Sequence, residues 1–245
     1  MRLAAAGLLI AATAASTLAW SVGWGVKGSG KIVNIHRSVA GFTGIALEVP
    51  ATVTVVQGND ASFAEGVMIE TDDNIAALLE TMVERGQLVI RFARDAGSIS
   101  TKVLNVTVNV RTVEQLAIGG SGSITSAKLQ SAALRCSIGG SGDIRIAQLQ
   151  VNKLRVSVAS SGDFEAAGRA DAIDAAIAGS GGIKAGKLAA QRVKISIVGS
   201  GDATVRANAA LTVNISGSGG VAYYGNPRVT QAVAGSGEVR RVGEH

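Results

Sequence analysis

The chain has 245 residues, room for one or two domains, with 32 glycines, 2 prolines, 47% hydrophobic and only 3% aromatic residues. That hydrophobic share excludes a disordered chain, and the shortage of aromatics fits a repetitive β structure with aliphatic stacks. The formal net charge of +5 is dispersed, with no dense basic run and no aromatics among the basic residues, which argues against nucleic-acid binding.

At the N-terminus Arg2 precedes an uncharged run from Leu3 to Val26, with Ala12-Thr13-Ala14 and Thr17-Leu18-Ala19 as small-x-small cleavage sites. The run is long enough to span a membrane, but Ala, Gly, Ser and Thr make it weakly hydrophobic. The reading is a cleaved signal peptide over residues 1–19, with an uncleaved anchor as the alternative. No cysteine follows the run, which argues against a lipid anchor. The expected location is periplasmic or extracellular, at the cell surface. Residues 20–36, with the Gly/Ser-rich stretch Gly23 to Gly30, read as a linker.

A single domain is expected over 37–240, with a cap and first coils in 37–112 and repeats in 113–240. Gly41 to Val49 and Thr52 to Val56 alternate as strands, broken by Pro50 and by Gly58-Asn59-Asp60. Thr71 to Leu79 predicts one short helix, with Asp72 or Asp73 as cap and Ile75, Leu78 and Leu79 as its apolar face. Gln87 to Phe92 and Val106 to Val110 return as strands. Such a β-rich segment is suited to close one end of a stacked repeat, whose aliphatic core is otherwise open.

From Ser121 onward Ser-Gly pairs recur at Ser141, Ser161, Ser180, Ser200, Ser218 and Ser236, at intervals of 20, 20, 19, 20, 18 and 18 residues. Three residues before each serine stands a β-branched residue: Ile118, Ile138, Val158, Ile177, Ile197, Ile215 and Val233. Two earlier come Leu116, Cys136, Val156, Ala175, Ile195, Val213 and Gln231. Three after come Ile124, Ile144, Phe164, Ile183, Ala203, Val221 and Val239. Period-two alternation around a glycine corner reads as strand, Gly-Ser-Gly corner, strand and return turn. A unit this short buries its apolar face only on the next unit, so the fold class is all-β: a parallel β-helix or β-solenoid of 18–20-residue coils. A β-sandwich is the other arrangement that short, evenly spaced strands permit. The corner glycines supply positive φ or close backbone approach, and the serines line up toward solvent.

The chemistry-bearing residues are few. Cys136 is the only cysteine and lies in an inward column, as a small buried hydrophobe. None of the repeat serines has glycines two before and two after it, as a nucleophile elbow requires, and His36 and His245 are the only histidines. Gly181 to Leu188 nearly spells a phosphate-binding loop, but Leu188 stands where a Ser or Thr is needed. Stacking places Asp143 beside Asp163, a pairing that calcium uses, although solvated turn carboxylates account for it and Gly182 breaks the ladder. Lys184, Lys187, Arg192 and Lys194 form a local basic region. Tyr223 and Tyr224 offer a ring for sugar stacking, of which alternation turns one inward. No catalytic, cofactor-binding or metal-ligating residue is assigned, and no cofactor is expected.

Arg37 to Ile45, the Val-x-Val strand before Gln57-Gly58, Asp73-Asn74-Ile75, Gly86 to Ile90, the Ser-Gly-Asp/Ser-Ile repeats and Tyr224-Gly225-Asn226-Pro227 occur in one order. In these features residues from about 37 to 237 resemble the bacterial family described as putative auto-transporter adhesin, head GIN domain. The resemblance implies a secreted or periplasmic β-helical domain and supplies no catalytic residues. The resulting expectation is an exported, non-enzymatic, adhesin-like binding module. Its partner would be an envelope protein, a polysaccharide or a second copy of itself, not a nucleic acid. A carbohydrate-active enzyme using the solenoid face and an envelope scaffold or stress-related protein are the alternatives.

Overall fold

The computed structural model describes residues 25–58, 60 and 63–244. The expected export segment 1–19 lies outside them, as does His245. In chain order the strands of the first half are β1 (Val26–Lys27), β2 (Ile32–Arg37), β3 (Gly44–Leu47), β4 (Thr52–Gln57) and β5 (Gly66–Asp72). After helix α1 (Asp73–Ala76) come β6 (Leu79–Glu84), β7 (Gln87–Phe92), β8 (Ile99–Ser100) and β9 (Leu104–Val110). The repeats supply β10 (Gln115–Ile118), β11 (Ser123–Ser126), β12 (Leu129–Ile138), β13 (Asp143–Val158), β14 (Asp163–Gly179), β15 (Gly182–Gly199) and β16 (Asp202–Gly217). β17 (Gly220–Tyr224), β18 (Arg228–Gly235) and β19 (Glu238–Gly243) complete them. The chain is a β-solenoid: β10 to β19 pair in parallel, each coil against the next.

The three sequence columns are registers of this ladder. Leu116, Cys136, Val156, Ala175, Ile195, Val213 and Gln231 are successive pairing partners, and so are the columns through Ile118 and Ile124. All are buried except in the last coil, where Gln231 and Val233 are exposed and Val239 is partly covered. The terminal coil thus carries a polar residue at an inward position and meets water. Packing is adjusted within coils. The one holding Phe164 carries Ala166, Ala170 and Ala175 inside, where the preceding coil has Ile146, Val151 and Val156.

The expected return turn is itself a strand. β13, β14, β15 and β16 run on past the second face into a third, where Val151, Ala170, Ala190 and Ala207 stack. The varying repeat length is absorbed at the bend between these faces. Ile146 pairs with Ala166, twenty residues on, but Leu149 pairs with Gly168, nineteen on, and the β14–β15 and β15–β16 pairings shift near the same place.

The Gly-Ser-Gly corner permits no such slack. The glycine after each serine is buried, except half-buried Gly237 in the last coil. A Cβ on Gly201 would stand 2.5 Å from the Gly181 carbonyl oxygen and 2.6 Å from Ile177 Cγ2. In the last four corners the glycine before the serine also takes positive φ, 131° at Gly179. The serines are all exposed, and the bonds crossing between coils here are backbone bonds, such as Ser200 N–H to the Gly179 carbonyl at 3.0 Å.

The N-terminal cap doubles back. β3 and β4 form a rung with β10 and β11 on one side and the later strands β7 and β9 on the other. The chain therefore overshoots, builds the end, and returns through 111–114, where the Glu114 and Gln115 N–H groups both donate to the Thr43 carbonyl. Antiparallel strands β2 and β5 extend this end beyond β9, and β6 flanks β7. Helix α1 is a single turn, shorter than the expected 71–79. Thr71 and Asp72 continue β5, and Arg37 donates to the carbonyls of Ala76 at 3.0 Å and Leu79 at 2.7 Å, where β6 begins. Asp72 makes no side-chain cap. Its buried carboxylate accepts from Gly30 N–H and from the Thr101 hydroxyl, both at 2.6 Å. Asn74 Nδ2 donates to the Lys27 carbonyl at 2.9 Å, so the Gly28–Gly30 stretch is tied to the cap.

These contacts separate tolerant from intolerant corners. Gly201→Ala is expected to lower stability by about 1–3 kcal/mol in urea unfolding, through overpacking against backbone. Ser200→Ala stays within about 0.5 kcal/mol of the parent. One residue inserted between Ala147 and Gln148, at the bend that already absorbs register shifts, leaves the melting temperature close to that of the parent. The same insertion between Ser200 and Gly201 turns inward columns outward and abolishes cooperative unfolding.

Candidate binding site

Regular coils convert each outward sequence position into a ladder of like-placed side chains, so the surface is read by column. The residue before the Leu116 column gives Gln87, Gly44, Gln115, Arg135, Arg155, Asp174, Lys194 and Thr212, successive partners on eight strands from β7 to β16. Two positions earlier, at the bend, stand Lys153 and Arg192. Between these lines lies the buried column Leu134, Leu154, Ile173 and Val193. Together they form a groove of about 960 Å³ along the solenoid axis, with Arg85 and Glu114 toward the cap end. Seven strand spacings make it about 34 Å long.

A second groove, of about 780 Å³, follows the bend between the second and third faces. Its ladder is Thr125, Arg145, Glu165, Lys184 and Thr204, beside the small residues Ala127, Ala147, Ala167 and Gly186. Here the two ladder cations, Arg145 and Lys184, are paired within the protein, while Lys187 beside them makes no salt bridge among the described residues. Arg145 bonds Asp143 at 2.8 Å and approaches Glu165 at 3.7 Å, and Lys184 Nζ bonds Asp163 at 2.6 Å. That bond to Asp163 raises the Lys184 pKa above its ordinary value. Tyr224 closes the groove, its ring so near Gly186 that a Cβ there would lie 3.0 Å from Tyr224 Cε2.

The sequence candidates separate accordingly. Of the basic region, Lys184 and Lys187 line the second groove, whereas Arg192 and Lys194 line the first, alongside Arg85, Arg135, Lys153 and Arg155. Extending the repeat alignment by one column toward the N-terminus reveals these partners. Tyr223 packs against the core and Tyr224 faces the groove. Asp143 and Asp163 do meet on adjacent coils, but Asp143 Oδ1 accepts the Asp163 N–H at 3.1 Å and their other oxygens take Arg145 and Lys184. Among the described residues no three His, Cys, Asp or Glu side chains gather around a common point for a metal. His36 lies on β2, separated from repeat strand β11 by β5, β9 and β4. No described helix is long and apolar enough to cross a membrane.

Cys136 is fully buried, and desolvation of the thiolate pushes its pKa far above the usual thiol range. It is expected to resist a disulfide reagent in the native protein and to react at once in denaturant. The unfolded thiol ionises near pH ~8.5 while the folded one keeps its proton, so the unfolded state binds fewer protons above that pH. Stability therefore falls with rising pH there, and Cys136→Ala removes that part of the slope in urea titrations at successive pH values.

A family model described as putative auto-transporter adhesin, head GIN domain, matches residues 41–227. No curated protein matches the chain. Solved structures share the fold, among them the following three. A putative adhesin from Bacteroides fragilis is 24% identical with a TM-score of 0.84, over 89% of this chain and 100% of its own. A putative lipid binding protein from Parabacteroides distasonis is 26% identical with a TM-score of 0.73, over 89% of this chain and 99% of its own. A putative adhesin from Parabacteroides merdae is 23% identical with a TM-score of 0.68, over 89% of this chain and 98% of its own.

Proposed function

The chain belongs to the family described as putative auto-transporter adhesin, head GIN domain, and from that premise we propose that it is an exported, non-enzymatic binding module acting at the cell surface. The observation that carries the reading is the construction of the outer faces. Side chains repeat at strand spacing on a rigid ladder, and the long axial groove is open to solvent. An extended surface of this kind holds a partner by many equivalent contacts, as solenoids do. Catalysis asks for the opposite, a few convergent groups with shifted pKa values in a closed pocket. Among the described residues the one large shift belongs to Cys136, which is sealed in the core. The weakly hydrophobic, uncharged N-terminal run, read as a signal peptide, supports export.

The test is surface accessibility of the full-length chain in intact cells, followed by protease shaving and antibody labelling. Accessibility from outside is expected, and strict periplasmic retention overturns the surface role. A panel of polysaccharides incubated with the purified protein is expected to release no reducing ends or unsaturated products. Release of either favours a carbohydrate-active enzyme instead.

A further inference from the structure

We propose that the axial groove is the ligand site and that its ligand is a linear acidic polysaccharide lying parallel to the solenoid axis. This deepens the binding-module reading above and rests on it. Six basic and two acidic side chains line the groove, a net charge of +4 in a chain whose total is +5. The two grooves treat their charges differently. In the second, Arg145 and Lys184 are both bonded to carboxylates of the same protein. In the axial groove the single ion pair is Arg155 with Asp174, at 3.5 Å and exposed. Arg85, Arg135, Lys153, Arg192 and Lys194 form no salt bridge among the described residues.

This arrangement works against folding. Arg135 and Arg155 are direct partners on neighbouring strands, where like charges repel. Arg192 and Lys194 stand on opposite sides of the groove floor, flanking buried Val193. An anion bound between them relieves that repulsion, and a low-dielectric floor of Leu134, Leu154, Ile173 and Val193 strengthens the attraction.

The periodicity selects the class of anion. Arg135, Arg155 and Lys194 fall at multiples of about 4.8 Å over strands β12 to β15, about 14 Å of the groove, and match a polymer whose charge repeats regularly. Uncharged amides and hydroxyls continue the same column at both ends, Gln87 and Gln115 on one side and Thr212 on the other, and these pair with sugar hydroxyls. Among the described residues no aromatic side chain lines the groove, so it offers no platform there for stacking bases, which single-stranded nucleic acids need.

The experiment measures binding of the full chain to alginate and dextran sulfate, with neutral dextran and oligothymidylate as controls, by biolayer interferometry at low salt. Binding to at least one acidic polysaccharide, none to dextran, and loss of binding near 0.5 M NaCl, where screening is short-ranged, are expected. The double variant Arg135→Glu, Lys194→Glu weakens binding by about tenfold or more. Lys184→Glu, in the second groove, changes it less than about twofold, and unchanged circular dichroism confirms that each variant is folded. Absence of binding to both acidic polymers, equal or stronger binding of oligothymidylate, or indifference to the double variant overturns the assignment. Surface exposure without polysaccharide binding removes this inference and leaves the adhesin-like reading in place. Groove-dependent binding by a protein held strictly in the periplasm removes the surface role and leaves the groove.

Discussion

Everything in this protein depends on how closely one corner glycine sits on the next. From Gly142 onward, the glycine after each repeat serine has its α-carbon against the carbonyl of its counterpart one coil back, with no room for a Cβ. That contact sets the coils at strand spacing and locks their register, so that backbone hydrogen bonds close and aliphatic columns stack without gaps. A single misplaced residue at the corner reverses which side chains face inward. The second bend lacks that repeated glycine-on-glycine stack, and there the coil length varies between 18 and 20 residues without disturbing the columns.

The same locking shapes the outside. In an irregular fold, neighbouring surface charges are set by local accident. In a solenoid they are set by column, and a column of one sign is a linear field running the length of the molecule. The second groove carries Arg145, Glu165 and Lys184 in alternation, and both ladder cations are paired with carboxylates of the same protein. The axial groove has Arg135, Arg155 and Lys194 with only Asp174 between them. That difference separates a surface that serves the fold from one that is held ready for a partner.

Much of this was legible in the amino-acid sequence because the repeat is short and strict. The three inward columns, the buried Cys136, the exposed serines and the opposed directions of Tyr223 and Tyr224 all follow from alternation around the corner. The third face was hidden, because the bulges that absorb length changes fall at its start and blur its alignment, as where Leu149 meets Gly168. The overshooting cap was hidden as well. That β7 and β9 cover β3 and β4 depends on long-range pairing that no local pattern encodes. Asp72 reads as a helix cap by position, but the nearby Gly30 N–H and Thr101 hydroxyl compete successfully for its carboxylate. The basic region read along the chain joined residues that face different grooves, since Lys187 and Arg192 lie on opposite sides of the third face.

The central claim is that the axial groove, and not the second one, receives the ligand. Lysine acetylation footprinting read by mass spectrometry tests it on the unmodified protein, with and without alginate. Lys153 and Lys194 should be protected by the polymer while Lys184 and Lys187 label at unchanged rates. Protection of Lys184 and Lys187 instead, or uniform protection across all four, would contradict the account.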